Sequence, residues 1–250
     1  MRFDGRTLFC TGGGSGIGAA VCRRYASEGG NVAVADINGG AAAEVAAAID
    51  GAITFGIDIS DEQAVRAAVA STAEAFGGIS AVYNGAGNLT VGTTEGYDAK
   101  DFMRMLEVHA LGTFLVCREA IPALRASGHG SIVNTSSVIA LVARATLGPY
   151  SAAKGAVHSY TRQLAIELAP EVRVNSVAPG RTVTGMTEHI YRELGGGDLE
   201  LGMKKAGEEV MLGRVAMPDE LAASICFLLS DDASYVTAHC LVVDGGFTAD

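Results

Sequence analysis

Short apolar, β-prone runs alternate along the chain with longer Ala-rich stretches of helical period. The runs fall at Thr7–Thr11, Asn31–Asp36, 53–57, Ala81–Asn84, 131–135, 173–177 and 241–243. The helical patterns between them cover 17–28, 40–49, Glu62–Phe76, 100–124, 149–168 and Pro218–Leu229. Strands that are apolar on both sides, each followed by a helix, predict a parallel sheet covered on both faces. Right-handed crossovers then give a doubly wound, Rossmann-type α/β fold. No repeat, low-complexity tract or linker interrupts the pattern, so one domain is expected over residues 1–250. The irregular stretch 185–213, with Gly195-Gly196-Gly197 inside it, reads either as a lid over a site or as an ordinary surface excursion.

Composition narrows the function classes. Of the 250 residues, 49% are hydrophobic and none is Trp, which predicts an aliphatic, Ala-rich core. The formal net charge of −10 repels phosphate backbones, so nucleic acid is not an expected partner. No basic run marks a membrane surface, and no stretch is long and apolar enough to span a bilayer. The N-terminus, Met1-Arg2-Phe3-Asp4-Gly5-Arg6, lacks an apolar signal core. The sequons at Asn88 and Asn134 then read as chance matches. Cysteines occur at 10, 22, 117, 226 and 240 with no CxxC pair, which fits reduced thiols and a cytoplasmic protein. The histidines are scattered, and no metal site is expected.

Chemistry enters at the first strand's exit. Thr11-Gly12-Gly13-Gly14-Ser15-Gly16-Ile17-Gly18 joins a strand to a helix. Glycines there let the backbone approach a pyrophosphate, and the free N–H groups of the helix start face the anion. Asp36 ends the second strand, where a carboxylate accepts hydrogen bonds from ribose hydroxyls and repels a 2′-phosphate. This favours NAD over NADP, and no Arg follows Asp36 to clamp a phosphate. Alternatively, Asp36 only opens the turn Asp36-Ile37-Asn38-Gly39-Gly40.

Tyr150 and Lys154 stand four residues apart near the start of a helical stretch, and therefore on one face. An adjacent ammonium stabilises a phenolate and lowers its pKa, so Tyr150 is expected to exchange a proton with an alcohol while hydride moves to or from a nicotinamide. Ser136 and Ser137 close the fifth strand, at the sheet edge where ligands bind in α/β folds. Ser137 is expected to hydrogen-bond the reacting oxygen, with Ser136 structural. No Gly-x-Ser-x-Gly elbow surrounds them, which disfavours a serine hydrolase.

Together these residues make the chain resemble the short-chain dehydrogenase/reductase family in its single-domain form, over residues 5–247. Thr11-Gly12-x-x-x-Gly16-x-Gly18 resembles the family's cofactor loop, Asp58 its adenine-contacting acid, and Asn84-Gly85-Ala86-Gly87 its fourth-strand motif. Ser137 precedes Tyr150 with the family's spacing. Pro179-Gly180 followed by Thr184 resembles the turn that holds the nicotinamide carboxamide, and Val243-Asp244-Gly245-Gly246 resembles the C-terminal strand signature.

The resemblance implies a seven-stranded parallel sheet, an NAD cofactor and a secondary alcohol or ketone as small-molecule substrate. It assigns Tyr150 as acid/base, Ser137 to orienting the substrate oxygen, and Lys154 to the tyrosine pKa and the nicotinamide ribose. The cofactor contacts it implies are Gly12, Ser15, Gly16, Ile17, Gly18, Asp36, Ile37, Asp58, Ile59, Asn84, Ala86, Gly87, Tyr150, Lys154, Pro179, Gly180, Thr182 and Thr184. It also implies a homotetramer, or less often a dimer, packed through 101–124, 150–168 and the C-terminal region. Those apolar helix faces could equally be internal core.

One position departs from the family. His109, in Val108-His109-Ala110-Leu111-Gly112-Thr113-Phe114, stands where a catalytic Asn is usual. An imidazole with a pKa near 6.5 suits a proton relay; a tolerated substitution or a degenerate site are the other readings. Expected substrate walls are Asn88, Leu89, Ser137, Val138, Ile139, Leu147, Arg181 and 186–191, including Met186. Arg181 either pairs with a substrate carboxylate or is a rim or internal ion-pair residue. Competing with the NAD-linked dehydrogenase are an NADPH-dependent 3-oxoacyl reductase and a catalytically weak NAD-binding protein.

Overall fold

A computed structural model describes residues 1–249. Its strands are β1 (Thr7–Thr11), β2 (Asn31–Asp36), β3 (Ile53–Gly56), β4 (Ala81–Asn84), β5 (Gly130–Thr135), β6 (Val172–Pro179) and β7 (Cys240–Val243). They form one parallel sheet in the order β3-β2-β1-β4-β5-β6-β7. The order reverses at β1, so the exits of β1 and β4 diverge there and leave a crevice at the carboxyl edge.

Helices cover both faces because the central strands are apolar on both sides; β1 and β4 are buried along their whole length. On one face lie α1 (Gly16–Ser27), α2 (Gly39–Ala47) and α9 (Pro218–Leu229), which bring Tyr25, Val45, Leu221 and Ile225 onto Leu8, Cys10 and Val34. On the other lie α3 (Glu62–Phe76), α5 (Gly112–Ala126) and α6 (Gly148–Leu168), which bring Val65, Val116 and Leu164 onto Phe9, Val82 and Ile132.

The single helix read from the sequence over 100–124 is two helices on one path. α4 (Ala99–Leu106) passes into α5 through a π-helical turn, Glu107–Leu111, that carries His109. Such a turn rotates the side chains after it relative to an ideal helix, which a period count in the sequence does not register. The stretch 185–213 folds as two short helices, α7 (Glu188–Leu194) and α8 (Leu199–Gly207), with Gly195-Gly196-Gly197 between them.

Candidate active site

The exits of β1, β2, β3, β4, β5 and β6 surround a cleft of about 340 Å³. At its floor Gly12 has φ +65°, and a Cβ there would lie 2.7 Å from the amide nitrogen of Ala86. A Cβ on Gly18 would lie 2.1 Å from the Gly12 carbonyl oxygen. Only glycine lets the β1 and β4 exits and the start of α1 come this close. Ser15 stands at the N-cap of α1 without its side chain bonding the helix, so the first-turn N–H groups open toward the cleft wall made by Ser15, Gly16, Ile17 and Gly18. That is a cradle for a pyrophosphate, and the residues present fit the dinucleotide that the glycine loop implies.

Asp36 holds this loop in place. Its Oδ2 accepts from the Gly14 amide at 3.0 Å and its Oδ1 from the Asn38 amide at 2.9 Å, and the carboxylate still borders the cleft. Toward the other end, the Pro179-Gly180 turn and Thr182, Thr184, Met186 and Thr187 form the wall across from the loop. A Cβ on Gly16 would meet Thr184 at 3.2 Å, so the two walls nearly touch.

Ser137, Tyr150 and Lys154 meet at the β5 side of the cleft. Lys154 is buried, and its Nζ donates to the Thr135 carbonyl at 2.8 Å and lies 5.7 Å from the Tyr150 ring centre. Burial lowers the Lys154 pKa to about 7. Burial also raises Tyr150 to about 12, with the Ser137 hydroxyl acting the other way. Within the protein itself, desolvation of the phenolate and not the Lys154 charge sets the direction, contrary to the lowering expected from the sequence. Ser136 also lines the cleft, and its Oγ donates to the Lys154 carbonyl at 3.4 Å.

His109 packs edge-on against Tyr150, with ring centres 5.6 Å apart at 84°. It is 1% exposed, and its Nδ1 has no partner among the described residues. Burial, and then the Lys154 charge, push its pKa down from 6.5 to about 3. This corrects the expectation of a titration near neutrality: a desolvated imidazole beside an ammonium stays neutral. Its backbone partner is Asn88, whose carbonyl oxygen lies 2.8 Å from Nε2.

Most residues expected at the cofactor line the cleft together: Gly12, Ser15, Gly16, Ile17, Gly18, Asp36, Ile37, Asp58, Ile59, Ala86, Gly87, Tyr150, Lys154, Pro179, Gly180, Thr182 and Thr184. Asn84 does not. It is buried behind the cleft, donating to Asn134 Oδ1 at 2.9 Å. Of the expected substrate contacts, Ser137 and Met186 line the cleft, whereas Ile139, Leu147 and Arg181 do not. Arg181 is an ion-pair residue instead: its Nη2 lies 2.7 Å from Glu209 Oε2, and Arg144 Nη2 lies 2.8 Å from the same oxygen. Sequence reasoning missed Arg104 and Val108, which sit a helical turn apart on the cleft wall. A periodicity reading assigns such residues only to a helix face.

The comparisons with known proteins agree with this geometry. The family model adh_short_C2, described as enoyl-(acyl carrier protein) reductase, matches residues 12–248. The chain belongs to the short-chain dehydrogenase/reductase family. It is similar to a 2,5-dichloro-2,5-cyclohexadiene-1,4-diol dehydrogenase from Sphingobium indicum, at 39% identity over 98% of each chain. It is 36% identical to a levodione reductase from Leifsonia aquatica, over 99% of this chain and 96% of the relative. A crystal structure of levodione reductase superposes with a TM-score of 0.92 and 36% identity over 99% of both chains. The chain is thus an oxidoreductase of this family, acting on CH–OH groups with a nicotinamide cofactor.

Proposed function

We propose that the protein is an NAD-dependent dehydrogenase that interconverts a secondary alcohol and a ketone, with Tyr150 as the acid/base. The convergence of Ser137, Tyr150 and Lys154 on one cleft wall carries the reading. A bound nicotinamide supplies the hydride acceptor or donor. Tyr150 takes the carbinol proton in oxidation and returns it in reduction. Ser137 orients the reacting oxygen with a hydroxyl already fixed by the Ile139 amide at 3.2 Å. Lys154, held by the Thr135 carbonyl, provides the positive charge that Tyr150 needs in order to ionise. His109 is a positioning residue, fastening the chain at Asn88 beside the site.

NAD is preferred to NADP because Asp36 borders the adenosine end. The nearby Arg104 is already neutralised by Asp58, with Nη2 to Oδ2 at 2.5 Å, so it offers no clamp for a 2′-phosphate. This weighs against the NADPH-linked reductase reading. We read 185–213 as a lid, since Met186 and Thr187 at its start line the cleft. A homotetramer is supported by exposed apolar side chains on α4–α6, among them Met103 at 52% and Ile166 at 73%. Among the described residues all five cysteines are unpaired, and no helix is long and apolar enough to cross a membrane; the unpaired thiols favour a cytoplasmic location.

The test is NADH or NADPH formation from a panel of secondary alcohols with both cofactors in parallel. NAD-linked turnover supports the assignment, and turnover with NADP alone overturns the reading of Asp36.

A further inference from the structure

Across the sheet from Tyr150, at the β3 side of the cleft, lies an ion-pair network. Asp58 follows β3 and Arg104 belongs to α4, and both line the cleft beside Ile37, Ile59 and Val108. Arg104 Nη2 donates to Asp58 Oδ2 at 2.5 Å, and its Nη1 donates to Ser60 Oγ at 2.8 Å. Ser60 in turn donates to Asp58 Oδ1 twice, from its Oγ at 2.7 Å and its amide at 2.9 Å. A carboxylate has about four acceptor sites, and three of those on Asp58 are filled from within the chain. The acid expected to hold the adenine is largely committed to Ser60 and Arg104.

What borders the cleft beside it is a guanidinium held through Nη2 by Asp58 and through Nη1 by Ser60, with Glu107 Oε2 3.6 Å from Nη1. Its side chain is 38% exposed, so it is neither a sealed core pair nor a freely solvated one. A guanidinium is planar, weakly hydrated and packs well against π systems. With its charge already met by Asp58 and Glu107, and with Ile37, Ile59 and Val108 lining the same cleft, its planar face suits a neutral heteroaromatic base. We infer that Arg104 contacts the adenine of the bound dinucleotide, and that Asp58 and Ser60 act as positioning residues that hold it there. The inference rests on the dinucleotide reading above.

Binding of NADH to the full-length protein, followed by its fluorescence, tests this, with AMP and nicotinamide mononucleotide as competing probes. Arg104→Met is expected to weaken NADH and AMP by a similar factor, about 10-fold. It should leave nicotinamide mononucleotide unchanged, and Arg104→Lys should recover only part of the loss. Asp58→Asn is expected to weaken NADH too, but the double variant should bind no worse than Arg104→Met, because Asp58 acts through Arg104. NADH and AMP affinities within twofold of wild type in Arg104→Met would reduce Arg104 to a structural pair. Losses that multiply in the double variant would return the adenine contact to Asp58 and overturn the assignment. An equal loss for nicotinamide mononucleotide would show general damage and overturn it as well. Wild-type protein that binds no NADH would remove the dinucleotide reading itself, whereas NADH binding indifferent to Arg104 removes only this inference.

Discussion

The Nε2 atom of His109 lies 2.8 Å from the carbonyl oxygen of Asn88 and 3.2 Å from the amide nitrogen of the same residue. One ring nitrogen serves only one of these groups at a time: protonated it donates to the carbonyl, bare it accepts from the amide. A carboxamide carries a donor and an acceptor side by side and can serve both. His109→Asn is therefore expected to keep turnover within about threefold of wild type or to raise it, since no transition-state hydrogen bond is lost. The pH profile of turnover should not move, because His109 is not a near-neutral titrating group. A profile that loses a limb near pH 6.5 on this substitution would restore the relay.

The same imidazole makes the fold acid-sensitive. Its pKa falls from 6.5 to about 3 on folding, so the unfolded chain binds the extra proton. The contribution of the neutral ring is fully present above pH 6.5 and is lost as pH falls toward 3. The cost is about 2 kcal/mol by pH 5. Denaturant unfolding at pH 7.5 and pH 5 should show a smaller loss of stability for His109→Asn than for wild type. Equal losses would contradict the burial of a neutral ring.

Lys154 carries a stability cost of the same kind. Burial brings its pKa from 10.5 down to about 7. The favourable, deprotonated condition is complete only above pH 10.5 and is lost as pH falls through the folded value, so at neutral pH the buried ammonium opposes folding. Lys154→Met is expected to abolish turnover while raising Tm by about 5 °C at pH 7. A lower Tm, measured by calorimetry, would show that the bond to the Thr135 carbonyl outweighs desolvation.

Asp36 braces the glycine loop through the Gly14 and Asn38 amides while bordering the cleft. Asp36→Ala is expected to lower kcat/KM with NAD by about 10- to 100-fold, the loss of one or two charge-assisted hydrogen bonds. Turnover with NADP should fall less or rise, because the repulsion disappears. Steady-state kinetics with both cofactors check this, and equal losses for the two would reduce Asp36 to a loop brace.

Glu209, in the turn after α8, joins the 185–213 stretch to Arg144 and Arg181, and the Arg181 hydrogen bond is the main cause of its lowered pKa. Leu212 adds a bond from its amide to the Gly245 carbonyl at 3.1 Å. Glu209→Gln is expected to speed amide exchange across 199–213 by a few-fold, with β1 and β4 unchanged. The carboxylate's contribution is present above its ordinary pKa of 4.5 and fades as pH drops through the lower folded value, so wild type should approach the variant only in acid. Exchange rates that match at neutral pH would remove the latch.

The strands were legible in the sequence because each is a short apolar run bounded by turn residues, and because the central strands are buried on both sides. The glycine loop and Ser137 were legible because each stands at a strand exit, and Tyr150 and Lys154 because their spacing of four joins the other motifs in resembling the family. Arg104 was not, since its partners at positions 58 and 60 are brought to it by tertiary packing and no local spacing records that. The partnership of Arg181 with Glu209 was hidden for the same reason. The π turn at Glu107–Leu111 was hidden because one extra residue in a helical turn leaves the apolar pattern nearly intact. The environment of His109 followed from burial, which a reference pKa does not contain.

The central claim is that Tyr150 is the acid/base of an NAD-linked alcohol oxidation, and NADH formation from a secondary alcohol in wild type and Tyr150→Phe tests it most directly. The account predicts turnover in wild type and a loss of about 10²- to 10⁴-fold in the variant, with NADH still bound. Turnover in Tyr150→Phe close to that of wild type would contradict it.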